Sequence, residues 1–375
     1  VSHAPLKIGL LGAGMIATAP IGYLPNLHRI GDKAVLAAVA DPVVERAREV
    51  ASNYGAKAVY GSLEEMLEAS DIDAVLNLTP IPYHGAATRQ ALRAGRHVIS
   101  EKPIATTMED ADAIVDLANA RGLTVVCAPP ENLHPIQREV KRLIADGAIG
   151  KVCFARVRSS HGGPASYAWP MDPTWFYQKG SGPLFDMGVY GIHEITGYLG
   201  PAKRVFAFSG ISEPIRYARG GPFDGKAIQV TEDDNTLLML DFGDSIFAVV
   251  DGTFNVNAAR GPRIEIFGRT GTIAMPDSEY ITDRSAVAEP FEIFRLDAVD
   301  GVAGWIAPRA SEVLQNQRHF DTLERTAVIE HLVDCVRTGA KPILSAEHAR
   351  HALEIMLGAK QAAASGRAID LRTTF

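Results

Sequence analysis

Short, uninterrupted apolar runs alternate with amphipathic stretches along the first third of the chain. The runs fall at residues 7–11, 35–40, 57–60, 74–78, 97–100 and 123–127. Between them, residues 42–52, 63–69, 85–94 and 108–120 carry apolar positions at helical spacing. Strands that are apolar on both faces must be covered on both faces, and helices between them make the connections right for a parallel sheet. The pattern predicts a doubly wound α/β unit of the Rossmann type, complete by about residue 127.

Past Pro129-Pro130 the rhythm changes. A helix over 135–146 leads to a strand at 152–159, and a second helix over 183–199 precedes strands at 204–209, 235–241, 245–253, 262–267 and 272–274. Short turns such as Phe242-Gly243-Asp244 join several of them, which is the connection of antiparallel neighbours. The tail, 326–338 and 346–365, is helical again. The predicted architecture is a Rossmann domain over 1–128 and an α+β domain over 129–375 with an open, mainly antiparallel sheet. An open sheet needs a cover on its outer face, so a homodimer or homotetramer built through that face is expected.

Composition narrows the partners. The chain has 375 residues, a formal net charge of −7 and no basic block, which argues against nucleic acid or an anionic membrane surface. No stretch reaches the roughly 18 consecutive apolar residues of a membrane span. The first strand starts close to Val1, leaving no room ahead of it for a signal peptide, so a cytoplasmic setting is expected. Cys127, Cys153 and Cys335 are odd in number and far apart, which fits buried thiols in a reducing compartment.

The first strand runs into Gly12-Ala13-Gly14-Met15-Ile16-Ala17, a G-x-G-x-x-A fingerprint at the first strand-to-helix turn. Gly12 permits the tight turn and Gly14 a close approach of backbone to a pyrophosphate. Met15 and Ile16 open the helix whose N-terminus faces it, and Ala17 keeps that helix near the sheet. Asp41 ends the second strand, where a carboxylate accepts ribose hydroxyls and repels a 2′-phosphate, so the expected cofactor is NAD. Pro20 and Pro25 shorten or bend the first helix without touching its first turn.

Three further stretches resemble the glucose–fructose oxidoreductase/myo-inositol dehydrogenase (Gfo/Idh/MocA) family: Asn77-Leu78-Thr79-Pro80 with His84, Glu101-Lys102-Pro103, and Trp175-Phe176 followed by Gly182 to Tyr190. The resemblance spans essentially the whole chain. It implies that Thr79, Pro80 and His84 border the nicotinamide ribose, and that Lys102 acts on the substrate with Glu101 positioning it. It also implies a cis Lys102–Pro103 bond. Read from the residues alone, an ammonium at a strand's carboxyl end lies where ligands bind in such sheets and can stabilise a developing alkoxide.

On a straight helix over 183–199, at 100° per residue, Asp186, Tyr190 and His193 share a narrow arc, while Leu184, Met187, Ile195 and Leu199 form an opposite apolar stripe. By the family pattern Asp186 orients substrate and Tyr190 transfers the proton. A phenol with an ordinary pKa of about 10 is a weak base unless a cation lowers it, and Lys102 is the natural candidate. A shift of one turn would give that role to His193 instead, and the sequence leaves the two open.

Other candidates carry less. Asn132 and His134 open the second domain, Trp175 and Phe176 are able to stack a sugar ring or fill the core, and the His161-Gly162-Gly163-Pro164 turn resembles a ligand contact. His331, His348 and His351 have no metal-ligand spacing, so no metal is expected. The expected activity is NAD-dependent hydride transfer at a hydroxyl or keto carbon of a sugar or cyclitol. The alternatives are an NAD-dependent glycoside hydrolase that oxidises the sugar transiently, and a sensor that binds NAD without chemistry.

Overall fold

The computed structural model describes residues 4–276, 291–299, 301–307 and 311–375, and every structural statement below concerns these. The chain divides into two compact units: Val1–Pro135 with Gln315–Leu353, and Ile136–Leu314 with Glu354–Phe375.

In the first unit, strands β1 (Leu6–Leu11), β2 (Ala34–Ala40), β3 (Ala58–Tyr60), β4 (Ala74–Asn77), β5 (His97–Ser100) and β6 (Val125–Cys127) form one sheet in the order β3-β2-β1-β4-β5-β6. All neighbours are parallel. Helices α1 (Met15–Thr18), α2 (Val44–Tyr54), α3 (Leu63–Ala69), α4 (His84–Arg93) and α5 (Met108–Arg121) connect them. The order reverses at β1/β4, the switch point beside which such sheets bind ligands. Ser62 and Thr107 cap α3 and α5 by accepting the amides of Glu65 and Asp110, which stops each strand-to-helix loop where the chain must turn.

The second unit begins with α6 (Pro135–Ala145) and β7 (Val152–Arg158), passes through α7 (Val189–Leu199), and continues as β8 (Arg204–Gly210), the hairpin β9 (Ile215–Tyr217) and β10 (Ala227–Gln229), β11 (Asn235–Gly243), β12 (Ile246–Thr253), β13 (Ile264–Gly268), β14 (Gly271–Met275), β15 (Glu292–Val299) and β16 (Val302–Ile306). The tail supplies α8 (Ser311–Leu323), α9 (Thr326–Thr338), α10 (Ala346–Ser365) and β17 (Ile369–Asp370). Nine strands make an open sheet in the order β16-β15-β14-β13-β7-β12-β11-β8-β17. Its pairs are antiparallel except β12 with β7. Alternation along β11 points Thr236, Leu238 and Leu240 inward and Leu237 and Met239 outward.

Residues 315–353 group with the nucleotide-binding unit, whereas the sequence reading carried the whole tail with the second domain. The physical reason is apolar packing. Ala327, Val328, Ile329, Leu332 and Val333 of α9, with Leu344, share one core with Ile8, Leu10, Leu36, Leu76, Ile99 and Val126. Leu344 also accepts the amide of Cys127 at 3.0 Å, extending the sheet edge. Cys127 and Cys335 are buried, as expected, but Cys153 is only half-buried. No helix among the described residues is long and apolar enough to cross a membrane.

Candidate active site

The dinucleotide turn is built around Gly12. Its φ is +92°, and a Cβ there would come within 2.6 Å of the Leu78 carbonyl oxygen, so the turn accepts only glycine. Gly14 caps α1 with no side-chain partner, and a Cβ on it would meet nothing within 4 Å, so the Met15 and Ile16 end of the helix faces open space. The backbone N–H groups and partial positive charge of that helix end suit a pyrophosphate. Ala17 is fully buried, as a helix held close to the sheet requires. The helix ends at Thr18, just ahead of Pro20.

Asp41 holds this turn together. Its side chain is 3% exposed, with one carboxylate oxygen accepting the Ala13 amide at 2.9 Å and the other the Val43 amide at 2.8 Å. The Arg46 guanidinium lies 3.6 Å away. The residue expected to face the ribose thus also ties the end of β2 to the glycine turn.

The loop after β4 is organised by buried side chains. Asn77 donates to the His84 carbonyl and the Thr88 hydroxyl, both at 3.1 Å, and accepts the Thr79 hydroxyl at 2.7 Å. Pro80 leads into a single 3-10 turn, Ile81–Tyr83. His84 starts α4, and its ring is turned inward, with one nitrogen 2.7 Å from the Pro103 carbonyl and the other 2.7 Å from the Thr79 carbonyl. The imidazole lies between the β4 loop and the Lys102–Pro103 loop with both nitrogens facing carbonyls, and in its neutral form its single N–H donates to one of them. Burial lowers its pKa, partly offset by the two carbonyls.

Lys102 follows β5, and the Lys102–Pro103 peptide is cis. Glu101 is buried: one carboxylate oxygen accepts the Tyr23 hydroxyl at 2.8 Å and the other the Lys102 amide at 3.0 Å, with Arg325 3.7 Å away. Glu101 therefore fixes the backbone of Lys102 from beneath. Burial, reinforced by Glu101, pushes the Tyr23 phenol well above its ordinary value, so it stays a donor.

In the second unit the straight helix expected over 183–199 is not formed. Leu184–Gly188 is a π turn, and the α-helix begins only at Val189. The wider turn changes the angular spacing along the helix: Asp186 lies in the π segment, Tyr190 and His193 in α7. Nor does an apolar stripe oppose a polar one, since α7 is buried from Gly191 to Tyr198 on every side. Met187, expected on the stripe facing the sheet, is half-buried and packs with Phe176 on a small core of Ala165, Tyr177, Ala218, Ile228, Val230 and Phe254. Asp186 and Tyr190 are half-buried, while His193 is 2% exposed.

Sequence reasoning missed what anchors this helix. Glu194, wholly buried, accepts Arg263 at 2.8 Å through one oxygen and Gln137 at 2.9 Å through the other. Ser159 bonds both the Met187 carbonyl and the Gly191 amide. Asp251 accepts the Ser159 amide at 2.6 Å and the Ser160 hydroxyl, and burial raises its pKa. A Glu in the middle of an apolar helix was the one available signal, for it demands a buried cation somewhere. His134, offered as a substrate contact, has its ring 4.2 Å from that of Phe320 and a nitrogen 3.1 Å from the Gln317 amide.

Residues 6–128 match an oxidoreductase family with an NAD-binding Rossmann fold, and residues 137–274 match the GFO/IDH/MocA C-terminal domain. A dTDP-3,4-didehydro-2,6-dideoxy-alpha-D-glucose 3-reductase of Actinomadura kijaniata is 30% identical, over 90% of this chain and 97% of its own. A myo-inositol 2-dehydrogenase of Thermotoga maritima is 25% identical, over 72% of this chain and 74% of its own. Among solved structures, an NAD binding oxidoreductase from Klebsiella pneumoniae superposes with a TM-score of 0.84 at 20% identity, covering 99% of this chain and 100% of that one. The chain belongs to the Gfo/Idh/MocA family of NAD-binding oxidoreductases.

Proposed function

We propose that the protein is an NAD-dependent dehydrogenase or reductase that moves a hydride to or from a hydroxyl or keto carbon of a sugar or cyclitol. The observation that carries this reading is Lys102. It stands at the carboxyl end of β5, its amide held at 3.0 Å by the buried Glu101 carboxylate, with the His84 ring between its loop and the loop after β4. Bound NAD supplies the hydride acceptor, and NADH the donor. Lys102 hydrogen-bonds the reacting oxygen and stabilises negative charge on it. Asp186 accepts a neighbouring hydroxyl and so orients the ring. Tyr190 carries the proton; it keeps exposed surface that His193 lacks, which favours it over the histidine. Gly12, Gly14, Met15 and Ile16 hold the pyrophosphate, Asp41 the adenosine ribose, and Thr79 and Pro80 border the nicotinamide side.

The names of the relatives support sugar-like substrates: one reduces a dTDP-linked keto-sugar and another oxidises an inositol. They lend nothing to the hydrolase or sensor alternatives. The outward row of the nine-stranded sheet, with Phe208, Leu237, Met239 and Phe247 exposed, is the surface through which we propose that copies of the chain associate. A panel of sugars, inositols and keto-sugars with NAD or NADH, followed at 340 nm, tests the reading. Turnover of at least one polyol is expected, and no change on any of them with NAD binding confirmed would contradict it.

A further inference from the structure

A string of aromatic rings runs outward from the segment that carries Asp186. Met187, its neighbour, and Phe176 both pack on the Tyr177–Phe254 core. From Phe176 the string continues to Trp175 at 6.2 Å and to Trp169 at 5.8 Å, edge to face at 88°. Trp169 meets Tyr167 at 5.9 Å, and Tyr167 meets His161 at 6.0 Å. His161 closes the string by stacking on Phe254 at 5.3 Å. This is an ordered cluster rather than scattered surface residues, yet its outer members are not covered: Tyr167 is 41% exposed and Trp175 38%. The Trp169 indole nitrogen is shielded from solvent and meets no acceptor among the described residues.

Two of the cations beside this core are already paired. Arg216 is buried against Asp234 at 2.7 Å, and Lys226 is paired with Asp172. A diphosphate docking on Arg216 or Lys226 would have to break that cation's pair, whereas a neutral ring needs only the aromatic faces. We infer that this string is a subsite for a second, neutral ring, so that the substrate is a glycoside whose attached sugar or aryl group packs on Tyr167, Trp169 and Trp175 while its reacting sugar lies toward Asp186.

The inference rests on the sugar-oxidoreductase reading, and calorimetry on the NAD-loaded protein separates the two, because binding does not require hydride transfer. The probes are galactose against lactose, glucose against cellobiose, p-nitrophenyl β-glucoside as the aryl arm, and UDP-glucose. A second ring is expected to tighten binding about tenfold in at least one pair. That ratio should fall toward one in Trp175→Ala and Tyr167→Ala and persist in Trp175→Phe. No gain from a second ring, a gain untouched by both alanine variants, or a gain confined to UDP-glucose overturns the inference. So does a change of mass by light scattering in the alanine variants, which would make the string an interface between copies. A second-ring gain without NADH formation on any probe would leave the subsite standing and count against the dehydrogenase.

Discussion

The Ser159 hydroxyl accepts the Gly191 amide at 3.0 Å and donates to the Met187 carbonyl. In an α-helix those two backbone groups, four residues apart, bond to each other. Here a side chain from the end of β7 stands between them, at the junction where the π turn becomes α7. Gly191 makes the approach possible, because a Cβ on it would lie 2.9 Å from that of Ser159. The serine thereby bonds the junction between the segment of Asp186 and that of Tyr190. Ser159→Ala should let the ladder close, turning Asp186 away from its place. Turnover is expected to drop tenfold or more and stability by about 1–3 kcal/mol, with NAD affinity unchanged by calorimetry. Full activity in that variant would mean the π turn has no bearing on the reaction.

Asp41→Ala removes the acceptor for Ala13 and Val43 and leaves Arg46 at the same place without its carboxylate. NAD should bind about tenfold more weakly, while NADP, which gains an unopposed cation for its 2′-phosphate, should lose much less or improve. Fluorescence titration with NADH and NADPH reads both. An unchanged preference between the two would show that Asp41 only braces the turn.

Acidification should loosen the first unit through His84. Its folded pKa lies below the ordinary value of 6.5 because it is buried, so the unfolded chain binds the proton more readily. The stabilising share of a neutral His84 is present above that value and is lost as pH falls below it. Melting temperature should decline from pH 7.5 to pH 5.5, and the decline should be shallower in His84→Asn. Parallel declines in both proteins would assign the effect to other groups, among them His97, whose pKa burial also lowers.

The outer face of the open sheet gives a separate test. Met239 and Phe208 both point outward on the adjacent strands β11 and β8 and are half or more exposed. Phe208→Asp with Met239→Lys should lower the mass measured by light scattering from an oligomer to a monomer, since charges at the centre of an apolar contact cost several kcal/mol when buried. A monomeric wild type would remove the proposal.

The Rossmann unit was legible because its strands are bare apolar runs between amphipathic helices, and runs such as 74–78 have no other use. The glycine turn, Asp41 and Lys102 were legible for the same local reason, since each sits at a fixed offset from a strand end. The strands β9, β10, β15 and β16 were not read. The first two have three residues each, and along the other two residues such as Val299 and Val302 stay exposed, so no alternation marks a buried face. The π turn was not legible either. Ser159, which bonds its Met187 carbonyl, lies 28 residues away in sequence, and an i to i+5 ladder leaves no periodic trace short of a full helix. Still larger separations in sequence hid the Glu194–Arg263 pair and the role of α9 in the first unit's core.

Lys102→Ala measures the central claim most directly, in one preparation, by NADH formation on the best polyol and by calorimetric NAD affinity. The account predicts turnover reduced by at least a hundredfold, on the scale of one lost oxyanion donor, with NAD affinity within a few-fold of the wild type. Undiminished turnover, or a loss explained wholly by failed NAD binding, would contradict it.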